Sequence, residues 1–250
     1  MLSLSIVLPA YNEEANVENA VREVSAVALG LGLDHEIIVV NDGSKDRTGE
    51  VTRELMARVP NLRLVEHFPN RGYGGALKAG FAAATKELIT FFPADKQFDF
   101  SEVDRMLARI NEADIVCGYR ADRQDNIIRK LNGSGWKMVV RMLFGYLCRD
   151  IDCGFKLFRR RVLSQVDLVS NGAMVDTELL AGAQARGMRI VEEPLTHLPR
   201  VAGEATGANL RVIVKAFRDL VQFRVWLSYE MQAQRQSAQE ALPAQSMVSR

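Results

Sequence analysis

The chain has 250 residues, enough for one large α/β domain and cramped for a second. Its hydrophobic share of 48% and charged share of 25% are ordinary for a globular protein. Lys and Arg number 32 against 31 Asp and Glu, so the net charge of +1 excludes a global attraction to nucleic acid and any electropositive site must be local.

In chain order, Leu4 to Pro9 reads as a strand, and Asn12, Glu13 and Glu14 are placed to cap a helix carrying Val17, Val21, Val24 and Val27 at helical spacing. Glu36 to Val40 is a second, mostly β-branched strand. A helix with Val51, Leu55 and Val59 follows from about Asp46. Leu62 to Val65 is a third strand, Gly75 to Ala84 a third helix and Leu88 to Phe92 a fourth strand. Ser101 and Asp104 form a capping-box-like pair before Val103, Met106, Leu107 and Ile110, and Asp114 to Cys117 is a short fifth strand. The back half is less regular, with helices expected at Ser134–Leu147, Val175–Arg186 and Asn209–Arg235. The polar tail 236–250 is expected to be disordered. Trp136 and Met138 read as core residues.

This alternation implies an α/β fold with a mostly parallel sheet covered on both faces. The domain is expected to span 1–207, with an amphipathic helix at 208–235 packed on it. No basic region precedes the first apolar run, so no leader is expected. The uncharged stretches, Met1 to Asn12 and Val24 to Leu33 among them, are short of the ~20 apolar residues that cross a bilayer. Cys117, Cys148 and Cys153 lack a disulfide framework or CxxC spacing and read as small buried hydrophobes in a reducing compartment. A cytoplasmic protein, or one lying on the cytoplasmic membrane face, is the expectation.

In parallel sheets ligands bind beyond the carboxyl ends of the strands. A dinucleotide fold would need a glycine-rich turn after the first strand, whereas Pro9-Ala10-Tyr11-Asn12-Glu13-Glu14 offers two carboxylates that would repel a pyrophosphate. After the second strand, Asn41-Asp42-Gly43-Ser44 places a carboxylate where it could accept hydrogen bonds from a base edge, or simply form a turn. After the fourth, Asp95 and the Gln97 amide are hard oxygen donors suited to Mg²⁺ or Mn²⁺.

Taken jointly, Pro9-Ala10-Tyr11-Asn12-Glu13, Val40-Asn41-Asp42-Gly43-Ser44, Asn70-Arg71-Gly72-Tyr73-Gly74-Gly75, Ala94-Asp95-Lys96-Gln97 and Asp152-Cys153-Gly154-Phe155-Lys156 resemble glycosyltransferase family 2, most of all its dolichol-phosphate mannose synthase branch. The resemblance covers about Leu4 to Gly207. It implies a GT-A fold, with Pro9, Tyr11, Glu13, Asp42 and Arg71 around a GDP- or UDP-sugar and Asp95 and Gln97 on the metal. The chain departs from the family pattern at Pro93, where the metal loop usually carries its first Asp, and at Asn41, where Asp is common.

From Gly118 to Arg161 the chain is rich in base. The resemblance places Arg120, Arg129 and Arg200 against the phosphate of a lipid acceptor, with Asp95 completing the catalytic set. A polyprenyl phosphate is already anionic and needs charge compensation rather than a general base, which favours inverting direct displacement. Two alternatives stay open. One is transfer to a hydroxyl with Asp176 or Glu178 as base; the other is nucleotide-sugar binding without turnover. The helix from Asn209 could also lie in a lipid headgroup layer through Phe223 and Trp226.

Overall fold

The computed structural model describes residues 2–94, 97–121, 127–198 and 210–240, without the side chains of 127–134, 210–216 and 238–240. Its elements in chain order are β1 (Ser3–Ala10), α1 (Val17–Gly30), β2 (Asp34–Asp42), α2 (Thr48–Met56), β3 (Leu62–His67), α3 (Tyr73–Ala83) and β4 (Leu88–Phe91). There follow α4 (Val103–Arg109), β5 (Ile115–Arg120), α5 (Ile127–Phe144), β6 (Lys156–Arg159), α6 (Met174–Ala185), β7 (Ile190–Leu195) and α7 (Leu210–Glu240).

The strands form one sheet in the order β3-β2-β1-β4-β6-β5-β7. All neighbours run parallel except at β6, which is antiparallel to both β4 and β5. Both faces are buried, and the side-chain alternation of a strand divides them. Leu4, Ile6 and Leu8 of β1, with Ile37 and Val39 of β2, pack against α1 and α4. Val7, Ile38 and Val40 turn to the other face, where α3, α5, α6 and α7 lie. On that face Gly80 lets α3 sit hard on the sheet, since a Cβ there would fall 2.3 Å from Val7 Cγ1. The expected two-sided, mostly parallel α/β sheet is therefore what the chain forms.

Several local expectations change. Asn12, Glu13 and Glu14 do not cap α1, which starts at Val17 after a turn in which the Glu13 carbonyl accepts the Asn16 and Val17 N–H groups. Asn12 takes a left-handed φ of 55°, and its neighbours bond across to the loop after β2 instead. Ahead of α4 the cap is Asp99, which accepts the Ser101 N–H at 2.8 Å, rather than the Ser101/Asp104 pair. Helix α7 runs to Glu240, so 236–240 are helical rather than disordered, in keeping with the good helix formers Gln, Ala and Glu there. Residues 241–250 lie outside the described residues. On α5, Trp136 packs edge-on against Phe217 of α7, but Met138 points outward and is 67% exposed.

At the far end of the sheet, Glu36 fixes the starts of three elements. Burial alone would push its carboxyl up. Hydrogen bonds from the Ser5 hydroxyl, the Thr85 amide and hydroxyl, and Arg63 outweigh burial and hold the pKa at about 2. A depressed carboxyl stabilises the fold above its ordinary pKa of 4.5, and that stabilisation is lost as pH falls toward 2. The depression corresponds to stability of order 3 kcal/mol. Urea unfolding of Glu36→Gln across pH should therefore show lower stability at neutrality and a flatter acid limb. An acid limb unchanged from the parent chain would assign it to other carboxylates.

Candidate active site

The carboxyl ends of β1, β2, β4, β5 and β7 open at one edge of the sheet, and the turn that precedes β6 arrives at the same edge because β6 runs backward. The β1–α1 and β2–α2 loops are fastened to each other. Asn12 N–H donates to Ser44 Oγ at 2.9 Å, Lys45 N–H to Asn12 Oδ1 at 2.8 Å, and Glu13 N–H to Thr48 Oγ1 at 2.9 Å. This zipper leaves the Tyr11 ring exposed at the rim and Pro9 half-buried at the end of β1. The Glu13 carboxylate accepts the Asn16 side-chain amide at 2.8 Å.

Asp42 ends β2 and is buried. One carboxylate oxygen accepts the Arg71 N–H at 2.9 Å and His67 Nδ1–H at 2.7 Å, and the other accepts the Gly72 N–H at 2.8 Å. The Asn70 side-chain amide returns a bond to the Asp42 carbonyl at 2.7 Å. Gly43 (φ 71°) makes this approach possible, because a Cβ would lie 2.7 Å from the Asn70 nitrogen. Asp42 thus organises the loop leading into α3, a wider job than the base contact expected of it. Arg71, on that loop, is exposed and makes no ion pair among the described residues.

The loop after β4 meets the segment after β7. Gln97 accepts the Leu198 N–H on its carbonyl at 2.9 Å, and its side-chain nitrogen lies 3.3 Å from His197 Nε2. An amide nitrogen only donates, so as placed His197 Nε2 accepts, and the Gln97 side-chain oxygen points elsewhere. Asp95, Arg200 and the Arg129 side chain lie outside the described residues.

On the acceptor side, Arg120 at the end of β5 forms a two-pronged pair with Asp150, at 2.6 and 2.9 Å. Lys137 of α5 approaches the same carboxylate at 3.9 Å. Two residues on, Asp152 lines the crevice. Water reaches its surface, and among the described residues its carboxylate makes no hydrogen bond or ion pair. The surrounding protein pushes its pKa up, and the Asp150 charge adds to that, against Lys156, Arg120 and Lys137. Tyr73, the first residue of α3, faces the same space, with its phenol pushed well up by the enclosing protein and by Asp176. Three loops converge here: a Cβ on Gly154 would lie 3.6 Å from the Pro93 ring and 3.8 Å from the Tyr73 hydroxyl.

Neither acid considered as a base for a hydroxyl acceptor faces this space. Asp176 is buried and paired at 2.6 Å with Lys156, and burial holds its carboxyl up at about 6. Glu178 is buried and accepts the Val169 and Ser170 N–H groups. Both lie in the first turns of α6 with structural partners already in place, which corrects their candidacy. Sequence reasoning singled out the Asp152–Lys156 motif but gave no role to Asp152 or Lys156, and it missed Asp150 and His197 as members of the site. The signal available was two acids two residues apart just before a strand that opens on lysine.

The glycosyl transferase family 2 profile matches residues 5–167. The undecaprenyl-phosphate 4-deoxy-4-formamido-L-arabinose transferase of Enterobacter sp. (strain 638) is 30% identical over 213 residues, covering 84% of this chain and 64% of that protein. The chain therefore spans under two thirds of that relative's length. Glucosyl-3-phosphoglycerate synthase of Mycobacterium tuberculosis, in complex with Mn²⁺, UDP and glucosyl-3-phosphoglycerate, superposes with a TM-score of 0.64 at 22% identity, over 90% of this chain and 80% of that one. Its complex with Mg²⁺ and UDP gives 0.65 at 20% identity, over 90% and 79%. These likenesses establish the GT-A fold, and the profile match, which runs from β1 through β6, places the chain in glycosyl transferase family 2.

Proposed function

We propose that the chain transfers a sugar, with inversion, from a nucleotide sugar to a polyprenyl phosphate. The observation that carries this reading is the cluster of Arg120 and Lys137 around Asp150 at the crevice, beside Asp152, whose carboxylate makes no hydrogen bond or ion pair among the described residues. Guanidinium groups recognise phosphate oxygens in pairs, and Arg120 already makes such a two-pronged contact with Asp150. The name of the Enterobacter relative points to the same acceptor class. In the transfer, an acceptor phosphate oxygen forms the new bond to the anomeric carbon as the bond to the nucleoside diphosphate breaks. The expectation that the acceptor needs no base holds for the dianion; a phosphate that arrives singly charged still carries one proton, and Asp152 takes it in this reading.

On the donor side, Pro9, Tyr11, Glu13, Asp42 and Arg71 surround the nucleotide, with Arg71 available to the diphosphate. Asp95 and Gln97 would hold Mg²⁺ or Mn²⁺, and a bound ion supplies charge compensation to the leaving diphosphate. The oxygen chemistry of this pair suits such an ion, and the His197 contact orients the Gln97 oxygen. Arg129 and Arg200 complete the acceptor site.

Lipid presentation follows from α5 and α7. Lys137 reaches the site while Met138 and Met142, 67% and 79% exposed, face outward from the same helix. On α7 the expected lipid contacts Phe223 and Trp226 instead pack inward against the core, and the exposed apolar row is Val221, Val225 and Tyr229, near Arg218 and Arg224. Among the described residues no helix is long and apolar enough to cross a membrane, so contact with a lipid surface is peripheral in this reading.

The test is transfer of label from nucleotide sugars to undecaprenyl phosphate, with undecaprenol and soluble sugars as hydroxyl controls. Arg120→Ala should lower transfer to the phosphate by one to two orders of magnitude, as loss of a charge-assisted contact of roughly 1.5–3 kcal/mol requires. Nucleotide affinity should stay nearly constant. Transfer to hydroxyls alone would move the acceptor assignment to sugars. Binding of the donor without transfer or hydrolysis would leave a nucleotide-sugar binder.

A further inference from the structure

Lys156 opens β6, and its ammonium group is fully buried. Each of its three N–H bonds has an acceptor: the Ile151 carbonyl at 2.9 Å, the Cys153 carbonyl, and Asp176 Oδ1 at 2.6 Å. The two carbonyls belong to the residues immediately before and after Asp152. The ammonium therefore grips the turn on both flanks of that residue. The turn is closed from within by the Cys153 N–H bonding the Asp150 carbonyl at 3.1 Å. The third bond ties the turn to the first turn of α6 through Asp176. The Phe91 ring centroid of β4 lies 5.2 Å from the ammonium.

Burying a lysine is costly, and a buried ion pair is often replaceable by apolar side chains of similar volume without loss of stability. A methionine of similar volume could occupy this space, so what the cation adds beyond packing is its hold on the two carbonyls. We propose that Lys156 is a positioning residue for Asp152, holding the Ile151–Cys153 backbone so that the Asp152 side chain is presented to the crevice. The proposal rests on the reading that Asp152 serves sugar transfer. Its physical content is narrower: with the clamp removed, the turn loosens and Asp152 loses a neighbouring positive charge.

The charged groups acting on Asp152 include Asp150, which raises its pKa, and Lys156, Arg120 and Lys137, which lower it, while Asp176 on the other side of Lys156 is a second carboxylate, its own pKa raised by the Asp152 charge. Removing Lys156 should therefore move the titration of Asp152 to higher pH. The acid limb of the pH–rate profile should move the same way.

The experiment compares Lys156→Met with the double variant Lys156→Met/Asp176→Asn, in which no unpaired charge is left buried. In both, the 151–155 amides should exchange at least ten-fold faster than in the parent chain. In Lys156→Met the Asp152 carboxyl, assigned by its loss in Asp152→Asn, should titrate at higher pH by carbon NMR; the double variant also loses the Asp176 charge and is read by amide exchange and turnover. Turnover should fall ten-fold or more with the KM for nucleotide sugar changed by less than about three-fold, and the double variant should recover Tm without recovering turnover. Recovery of both Tm and turnover in the double variant would reduce the pair to packing and overturn the proposal. An unchanged Asp152 titration in Lys156→Met would do the same. If the parent chain transfers no sugar to undecaprenyl phosphate, the acceptor reading fails by itself, while amide exchange and the carboxyl titration still decide for or against Lys156.

Discussion

Asp152→Asn is expected to reduce the transfer rate by about 10²–10⁴-fold, the range associated with loss of a positioned acid or base. Nucleotide affinity and Tm should hardly move. The side chain has no hydrogen-bond or ion-pair partner among the described residues, so the substitution breaks nothing that supports the fold. It also removes repulsion with Asp150, which works to raise the Asp152 pKa. The chemistry, in contrast, depends on the charge. An acidic group with a raised pKa accepts a proton only once it has ionised, so the rate should climb with pH through that raised value. The asparagine variant should lose this limb altogether. Single-turnover measurement of lipid-linked sugar across pH is the decisive observation. A variant within a few-fold of the parent chain would show that the phosphate attacks without help and that Asp152 is a bystander.

A second large effect is expected at Asp42. Asp42→Asn replaces one carboxylate oxygen by an NH₂ group, which then confronts a donor: the Gly72 N–H on one side, or the Arg71 N–H and His67 on the other. A buried donor left without an acceptor costs about 1–3 kcal/mol. Stability should fall by that amount, and because the displaced loop carries Arg71, affinity for a nucleoside diphosphate should fall by a comparable one. Calorimetric titration and thermal unfolding of the same preparation separate the two. Loss of stability with unchanged affinity would confine Asp42 to the architecture of the loop and remove Arg71 from the donor site.

The parallel half of the sheet was legible in the sequence because β1 and β2 are apolar, β-branched runs closed by Pro, Asp and Gly signals. Strand β6 was not, since it has four residues and opens on a lysine that an unaided reading assigns to the surface. The donor loops could be located from rules about strand ends, but the partners of Asp42 could not. Its bonds reach His67, Arg71 and Gly72, and nothing local in the sequence signals those distances. The candidacy of Asp176 failed for a related reason: its fate is set by Lys156, 20 positions earlier and on a different element. Gln97 and His197 meet across 100 positions, through two loops that only the closed sheet brings together.

The reversed strand β6 joins β4 along only four residue pairs, from Leu88 with Arg159 to Phe91 with Lys156. On one side of that seam stand β1, β2, β3 and β4, which carry the proposed nucleotide loops. On the other stand β5 and β7 with the turn before β6, which carry Arg120, Asp150 and Asp152. The seam therefore separates the two proposed tasks within one sheet. If the proposed assignment holds, substitutions, insertions or exchange of the stretch from β5 onward should redirect transfer to a new acceptor while the nucleotide half stays unaltered. Relatives built this way should diverge fastest between 121 and 155, and slowest in the loops that end β1 and β2.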